Sequence, residues 1–384
     1  MPGGPSVWGD PDVMEGKLML VGRRTVLKSI GLATIAAPWA HQAFADPVSF
    51  SPTPGPMRTF EVLTRVTVAR QGPETRVWVP VPSHDLGDWF RVKGTTFSGD
   101  AIKAALKGDS RSGARFVEAT WTGAAPTLEV VSRFSTRDRA VDTAHPSGRQ
   151  TLSQTERAAY LRPTRLAPLD GVVKETSDSI VRGTSSDIDN VRAVYEWVVD
   201  NTYRDPSTAG CGKGDVVAFL QSRPMGGKCA DINRMFVALV RAAGVPAREI
   251  YGVRVAPSRF GYKSLGANTE TITKSQHCRA EVHIAGLGWV PVDPADVRKV
   301  ALEEPPGHLD MSSDKVVAAR KTLFGAWETN WLAYNSAQDV RLSGSNGDPL
   351  PFLMYPQAEV GGERLNCLNQ DELRYTITAH EIAA

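Results

Sequence analysis

Residues 226–244 read Gly-Gly-Lys-Cys-Ala-Asp-Ile-Asn-Arg-Met-Phe-Val-Ala-Leu-Val-Arg-Ala-Ala-Gly. Ile232, Phe236, Leu239, Val240 and Ala243 recur at helical spacing, which predicts a helix with one buried face that begins at Cys229. Gly244 supplies a left-handed stop, and Pro246 reinforces it. Upstream, Ser186 with Asp189 three residues on is an N-cap signature, and Ile188, Val191, Tyr195 and Val198 form the stripe of a second helix ending by Asn201. A short apolar helix is expected over 215–221, and Arg223-Pro224-Met225-Gly226-Gly227 then forces a turn. Beyond Gly244 the period drops to two, so 249–255, 277–284 and 289–293 read as strands. Helices followed by an antiparallel sheet define an α+β fold class.

The flanking residues divide by composition. Residues 46–57 hold four prolines and read as an extended linker. Over 58–135 the alternation Phe60, Val62, Thr64, Val66, Val68 and the short strands 76–81 and 127–134 predict a small β-sandwich. Residues 136–169 read as an irregular connector, 170–302 as the helix-and-sheet core, and 303–384 as a C-terminal extension of loops with a few strands, notably 373–379. The first 45 residues have the parts of a cleavable export signal: Arg23 and Arg24, an apolar stretch from Ile30 to Ala40, then Ala43-Phe44-Ala45. The paired arginines point to the twin-arginine route. The apolar stretch is too short for a membrane span, and Pro38 interrupts it. Met14 and Met19 are alternative starts. Cleavage after Ala45 leaves a chain expected to reside in the periplasm or outside the cell, with no membrane attachment.

The 384 residues carry 44 Lys and Arg against 42 Asp and Glu, a net charge of +2, which excludes nucleic-acid binding through bulk charge. Four cysteines with no C-x-x-C pair exclude a disulfide scaffold or a Cys-rich zinc module. Cys229 stands out because a thiol at a helix N-terminus feels the positive end of the helix dipole and unpaired N–H groups, which favour thiolate. Gly226 and Gly227 let a substrate backbone approach, and the Cys229 N–H can face a developing oxyanion. The plainer reading is an inert buried cysteine.

A nucleophilic thiol needs a base, and the base needs an orienting carboxylate. Residues 277–293, His-Cys-Arg-Ala-Glu-Val-His-Ile-Ala-Gly-Leu-Gly-Trp-Val-Pro-Val-Asp, supply both on one hairpin turning at Gly286 to Gly288. Folding it back sets Asp293 opposite roughly residues 279–281, diagonal to His277. His283 pairs near Val290, away from Asp293, and is expected to be a surface or sheet histidine.

Gly-Gly-Lys-Cys229-Ala-Asp before an amphipathic helix, His277-x-x-x-Glu-Val-x-Ile, and Gly-x-Gly-Trp289-Val-Pro-Val-Asp293-Pro294 together resemble the transglutaminase-like superfamily, bacterial members with a papain-type Cys-His-Asp triad. The resemblance spans about 170–300 and implies a transglutaminase-like/papain-like core with Cys229 as nucleophile, His277 as base and Asp293 as orienter. His277-Cys278-Arg279 departs from the family's usual His-Ala-Trp, so substrate preference does not carry over. Tyr203, ending a family-like Trp197-to-Tyr203 stretch, and Gly227 are expected near the oxyanion or in the cleft, although Tyr203 is equally a packed aromatic. Cys211 is expected in a loop near the cleft. Cys278, alternating with His277 on its strand, is expected to be buried or bridged, and one disulfide at most is left, Cys211 with Cys278 or Cys367.

The function these readings imply is an exported, cysteine-dependent acyl-transfer enzyme. It hydrolyses a peptide or amide bond of a peptide or protein substrate through a Cys229 thioester, with no cofactor and no metal. The same residues suit a crosslinking transamidase, a non-catalytic binding module on the same fold, or a metal site of Cys229, His277 and Asp293.

Overall fold

In the computed structural model the described residues are 49–383 apart from 71, 124, 125, 147 and 149, and they fall within one compact unit, Asp46–Ala384. The expected export signal lies outside them.

The helix Cys229–Ala242 is buried along almost its whole length, because it has the site's sheet on one side and the helices Gly171–Ile180, Asp187–Asn201 and Val216–Gln221 on the other. A helix enclosed on all sides must satisfy whatever polar groups it carries. Arg234 does so through Glu249 Oε2 at 2.9 Å and the Tyr251 hydroxyl at 2.6 Å. The Ser186 N-cap accepts from the Asp189 N–H at 3.3 Å, and the short helix is capped by Asp215 at 3.0 Å from the Ala218 N–H, both where the capping signatures put them.

The sheet beneath the helix runs in the order Gly288–Val292, Gln276–Ile284, Ala247–Arg254, Trp331–Asn335, antiparallel throughout. The hairpin turns where expected: Gly286 and Gly288 have φ of 85° and 74°, a backbone that side chains with a Cβ resist. Its register pairs Ala280 with Val292 and His283 with Trp289. That register delivers Asp293 just past the strand end, abreast of the start of the neighbouring strand. Glu281 from the same strand is fully buried between Arg139 and Arg248, whose Nε donates to it at 2.8 Å, so this motif glutamate clamps the sheet to the segment that leaves the β-rich region.

Two further antiparallel sheets form the β-rich region. One has the order Leu373–Ile382, Arg58–Val68, Thr127–Thr136, Phe90–Gly99; the other Glu363–Arg364, Gln357–Val360, Thr75–Val81, Arg115–Trp121, Lys103–Gly108. Phe60, Val62, Val66 and Val68 point inward as the alternation predicts and share a core with Val77, Val79, Val117 and Ala119 of the second sheet.

Several stretches are more ordered than their patterns suggested. Residues 225–227 form a short strand parallel to Thr202–Arg204, not a turn alone. The connector holds a helix, Gln154–Tyr160, whose Ser153 and Glu156 make a reciprocal capping box. Asp293 caps a helix, Pro294–Glu303, where the period-two pattern had predicted only the end of a strand. Residues 303–384 supply a helix, Asp314–Thr322, and strands to all three main sheets. Leu373–Ile382 is the strand expected near 373–379; the others are short and pair with partners distant in sequence, so period-two alternation had little length in which to register. The described end of the Pro-rich stretch is also held, since Phe50 packs on Tyr262 with ring centroids 4.6 Å apart. No described helix is long and apolar enough to cross a membrane.

Candidate active site

Cys229, His277 and Asp293 come together from three elements: the first turn of the central helix, the start of a central strand and the cap of the following helix. His277 Nε2 lies 2.7 Å from Asp293 Oδ2. The Cys229 thiol neighbours the same imidazole, which helps to lower the thiol's pKa. With Nε2 held by the carboxylate, Nδ1 is the nitrogen left to face sulfur. All three side chains are buried, and Cys229 and His277 open onto one cleft of about 340 Å³.

Four further residues position this group, of which sequence reasoning had singled out only Trp331, as an aromatic that could cover the catalytic domain. Asn233, one turn beyond Cys229, donates to Asp293 Oδ1 at 3.1 Å and to the Cys278 carbonyl at 2.8 Å, and it accepts from the Ala295 N–H at 3.2 Å. Asp296 places a second carboxylate 3.3 Å from His277 Nε2 and is itself gripped by Arg254 at 2.6 and 2.7 Å. Trp331, from the C-terminal extension, donates its indole N–H to the His277 carbonyl at 3.1 Å. Spacing held a signal for two of them: Asn233 is at i+4 from Cys229 on one helix face, and Asp296 is at i+3 from the cap residue Asp293.

The electrostatics follow from this packing. Burial alone would lower the His277 pKa, but the charges of Asp296 and Asp293 override it and push the imidazole up to about 9. The Cys229 thiol is held well below its ordinary value, first by the neighbouring Cys211 and Cys278 thiols, which donate to it, and then by His277. Both shifts favour the thiolate–imidazolium pair.

Cys211 arrives where expected, at the cleft, through Asp231. One carboxylate oxygen accepts from the Lys213 and Gly214 N–H groups at 3.0 and 2.9 Å, the other from the Lys228 N–H at 3.1 Å, and the Cys211 carbonyl accepts from the Ala230 N–H at 2.8 Å. The expected disulfide is not formed: all four cysteines are free thiols. Cys278, expected to point away from His277, is fully buried but keeps its thiol against that of Cys229. Tyr203 and Gly227 lie outside the cleft wall. The Tyr203 ring covers Gly226, where a Cβ would meet its Cζ at 2.2 Å, and Gly227 abuts the Asp231 side chain at 2.8 Å in the same sense. His283 is a sheet histidine, edge-on to Trp289 at 5.4 Å and remote from Asp293.

His277, Asp293 and Asp296 each bring a ligand atom within 4.8 Å of the others, a metal-like spacing. The donor set does not suit a cation. Asp296 already neutralises Arg254, Arg279 Nε stands 3.7 Å from Asp293, and Asp293 Oδ1 is occupied by two N–H donors.

Residues 174–294 match the Transglutaminase-like superfamily. Over 326 residues the chain is 36% identical to an uncharacterized protein of Haemophilus influenzae Rd, an alignment covering 80% of this chain and 87% of that one. The crystal structure of a candidate cysteine protease from Cytophaga hutchinsonii shares the fold, with a TM-score of 0.55 at 12% identity over 86% of this chain and 93% of that one. The periplasmic domain of TgpA from Pseudomonas aeruginosa is a more distant likeness, with a TM-score of 0.34 at 17% identity over 64% of this chain and 88% of that one. The helix, strand and capped carboxylate around Cys229 are the layout of a thiol-centred α+β domain. This chain belongs to the transglutaminase-like superfamily.

Proposed function

We propose that the chain is a cysteine-dependent acyl-transfer enzyme that hydrolyses a peptide or amide bond. The observation that carries this reading is the buried hydrogen bond of 2.7 Å between His277 and Asp293, with the Cys229 thiol at the first turn of a helix on the other side of the imidazole.

The Cys229 thiolate attacks the substrate carbonyl, and a C–S bond forms. The oxyanion meets the Cys229 N–H; its neighbours in the first turn, at Lys228, Ala230 and Asp231, already donate to Asp231, Cys211 and Lys228. As the C–N bond breaks, imidazolium His277 gives its Nδ1 proton to the leaving amine. Water then loses a proton to Nδ1 and attacks the thioester, the C–S bond breaks, and the acid departs with the thiolate–imidazolium pair restored. Asp293 keeps the ring oriented throughout, and Asp296 adds charge that favours imidazolium.

Water is favoured as acceptor because nothing in the cleft marks an amine-binding site, its charged wall residues being cations. The test is mass spectrometry of the protein and of Cys229→Ala incubated with a peptide library containing glutamine and free amines. Cys229-dependent cleavage or deamidation supports the proposal. Crosslinks select a transamidase instead, and no product with a thiol no more reactive to iodoacetamide than an unfolded one defeats the enzyme reading.

Export rests on Arg23, Arg24 and Ala43-Phe44-Ala45, and we place the mature chain in the periplasm or outside the cell. Retention of the Arg23→Lys/Arg24→Lys double variant in the cytoplasm is the expected result of fractionation; unchanged export would remove the twin-arginine route.

A further inference from the structure

The cleft at Cys229 is walled by Arg204, Lys228, Lys274 and Lys299, and no carboxylate among the described residues joins them. In a chain with 44 basic and 42 acidic residues, this is a local concentration of one sign. The four come from separate places. Arg204 pairs with Gly227 in the short parallel strands, Lys228 precedes Cys229, Lys274 stands three residues before His277, and Lys299 lies on the helix capped by Asp293.

Their partners are too few. Glu303, behind the wall, serves both Arg204 and Lys299; it bonds the guanidinium and stands 3.7 Å from the ammonium. Lys228 and Lys274 make no salt bridge to any described residue, and the Lys299 ammonium makes no hydrogen bond although its side chain is only 18% exposed. Burial and the nearby Arg254 pull the Lys299 pKa down to about 8, so its charge is held against an opposing environment. Like charges converging on a small concave volume attract an anion and strengthen as water leaves. Tyr355, Tyr375 and Leu368 give the wall an apolar part suited to a hydrocarbon stem, beside the polar Thr273, Ser275, Gln276 and Gln370. At about 340 Å³ the cleft takes a short peptide segment.

We propose that the acyl donor is a short acidic peptide whose free carboxylate lies beside the scissile amide, held by Lys299 and Arg204 with Lys228 and Lys274 on the approach. This rests on Cys229 being the nucleophile. The carboxylate belongs either to an acidic side chain or to a peptide C-terminus, and the cations would grip both alike.

The test uses the mature protein and two alkylating agents that differ only in charge. The rate of Cys229 alkylation by iodoacetate, divided by that for iodoacetamide, reports the field in the cleft and cancels changes in thiolate fraction. The cations that line the cleft with Cys229 predict a ratio roughly five- to tenfold above that of the urea-unfolded protein, falling toward it in 0.5 M NaCl. Lys274→Met, an exposed change that leaves the core untouched, lowers the ratio about twofold, and Lys299→Met lowers it by at least as much. Protection of Cys229 from iodoacetamide by acetyl-Ala-Glu-Ala-amide, by acetyl-Ala-Gln-Ala with a free carboxylate, and by the uncharged acetyl-Ala-Gln-Ala-amide then separates the sources. Protection by the first alone assigns a side chain, by the second alone a C-terminus, and by both the shared chemistry. A folded ratio equal to the unfolded one, or no protection beyond that of the uncharged peptide, overturns the proposal even where iodoacetamide reacts rapidly. Iodoacetamide reacting no faster than with an unfolded thiol would instead defeat the nucleophile reading beneath it.

Discussion

Replacing Asp293 by Asn changes one oxygen to an NH₂ group and keeps shape, so its effect follows from hydrogen-bond accounting alone. Oδ1 of Asp293 accepts from Asn233 Nδ2 and from the Asp296 N–H, each at 3.1 Å, while Oδ2 faces His277 Nε2 at 2.7 Å. The single carbonyl oxygen of Asn stays with the two N–H donors, so its NH₂ turns to His277. The imidazole then has to accept at Nε2, which keeps its proton on Nδ1 and the ring neutral. Holding an imidazole at about 9 in place of 6.5 corresponds to roughly 3 kcal/mol in favour of imidazolium. Asp293 is the lesser of the two charges behind that shift, after Asp296, so its loss withdraws part of the support and lowers the His277 pKa while burial still opposes the charge. With about half of that support lost, amide hydrolysis at pH 7 falls roughly tenfold, since each 1.36 kcal/mol is about a factor of ten in rate. The helix Pro294–Glu303 keeps its cap, because Asn caps about as well as Asp, so the denaturation midpoint moves little. The assay is NMR titration of the imidazole Cε1–H signals, with His277→Ala to assign the resonance. If His277 in Asp293→Asn still titrates near 9, Asp296 alone sustains the charge and the reasoning is refuted.

Three further outcomes are expected. Cys211→Ala removes the first support of the Cys229 thiolate and raises the pH midpoint of iodoacetamide labelling by about one unit, the worth of a hydrogen bond to a charged group; an unmoved midpoint would show that His277 alone sets it. Asn233→Ala leaves Asp293, the Cys278 carbonyl and the Ala295 N–H each short of a buried partner and lowers unfolding free energy by about 1–3 kcal/mol, read by urea titration. Gly227→Ala drives a methyl to 2.8 Å from Asp231 and 2.9 Å from Phe219, which destabilises the fold by about 1–3 kcal/mol and loosens Cys211 from the cleft, seen as faster alkylation of Cys211.

The parts of this fold that the chain announces are those whose chemistry is local. The central helix was legible because its stripe repeats over four turns, and the hairpin because two glycines with positive φ punctuate an alternating run. Together they bring His277 and Asp293 into contact. What sequence hid depends on contacts closed from afar. Trp331 reaches His277 only because a strand near residue 331 completes a sheet begun near 247, and no local pattern encodes that pairing. The sulfur cluster is similar: Cys211 and Cys229 are neighbours because Asp231 ties two loop N–H groups to a helix start, a job any small polar residue at that position is expected to do for its own cap. Alternation along a strand read Cys278 correctly as buried but could not show that its thiol meets Cys229, a contact made across two elements.

The strand Arg58–Val68 has Leu373–Ile382 as an edge partner, and Arg58 pairs with Glu381, 323 residues later. On the ribosome, at about 5–20 residues per second, that separation is a wait on the order of tens of seconds or less. Throughout it the first sheet to emerge has a bare edge, the template to which stray strands adhere. That sheet is therefore closed only after residues 373–382 have been made. A nascent chain that has not yet reached Leu373 has its thiol, imidazole and carboxylate already made but lacks the strand that closes its oldest sheet.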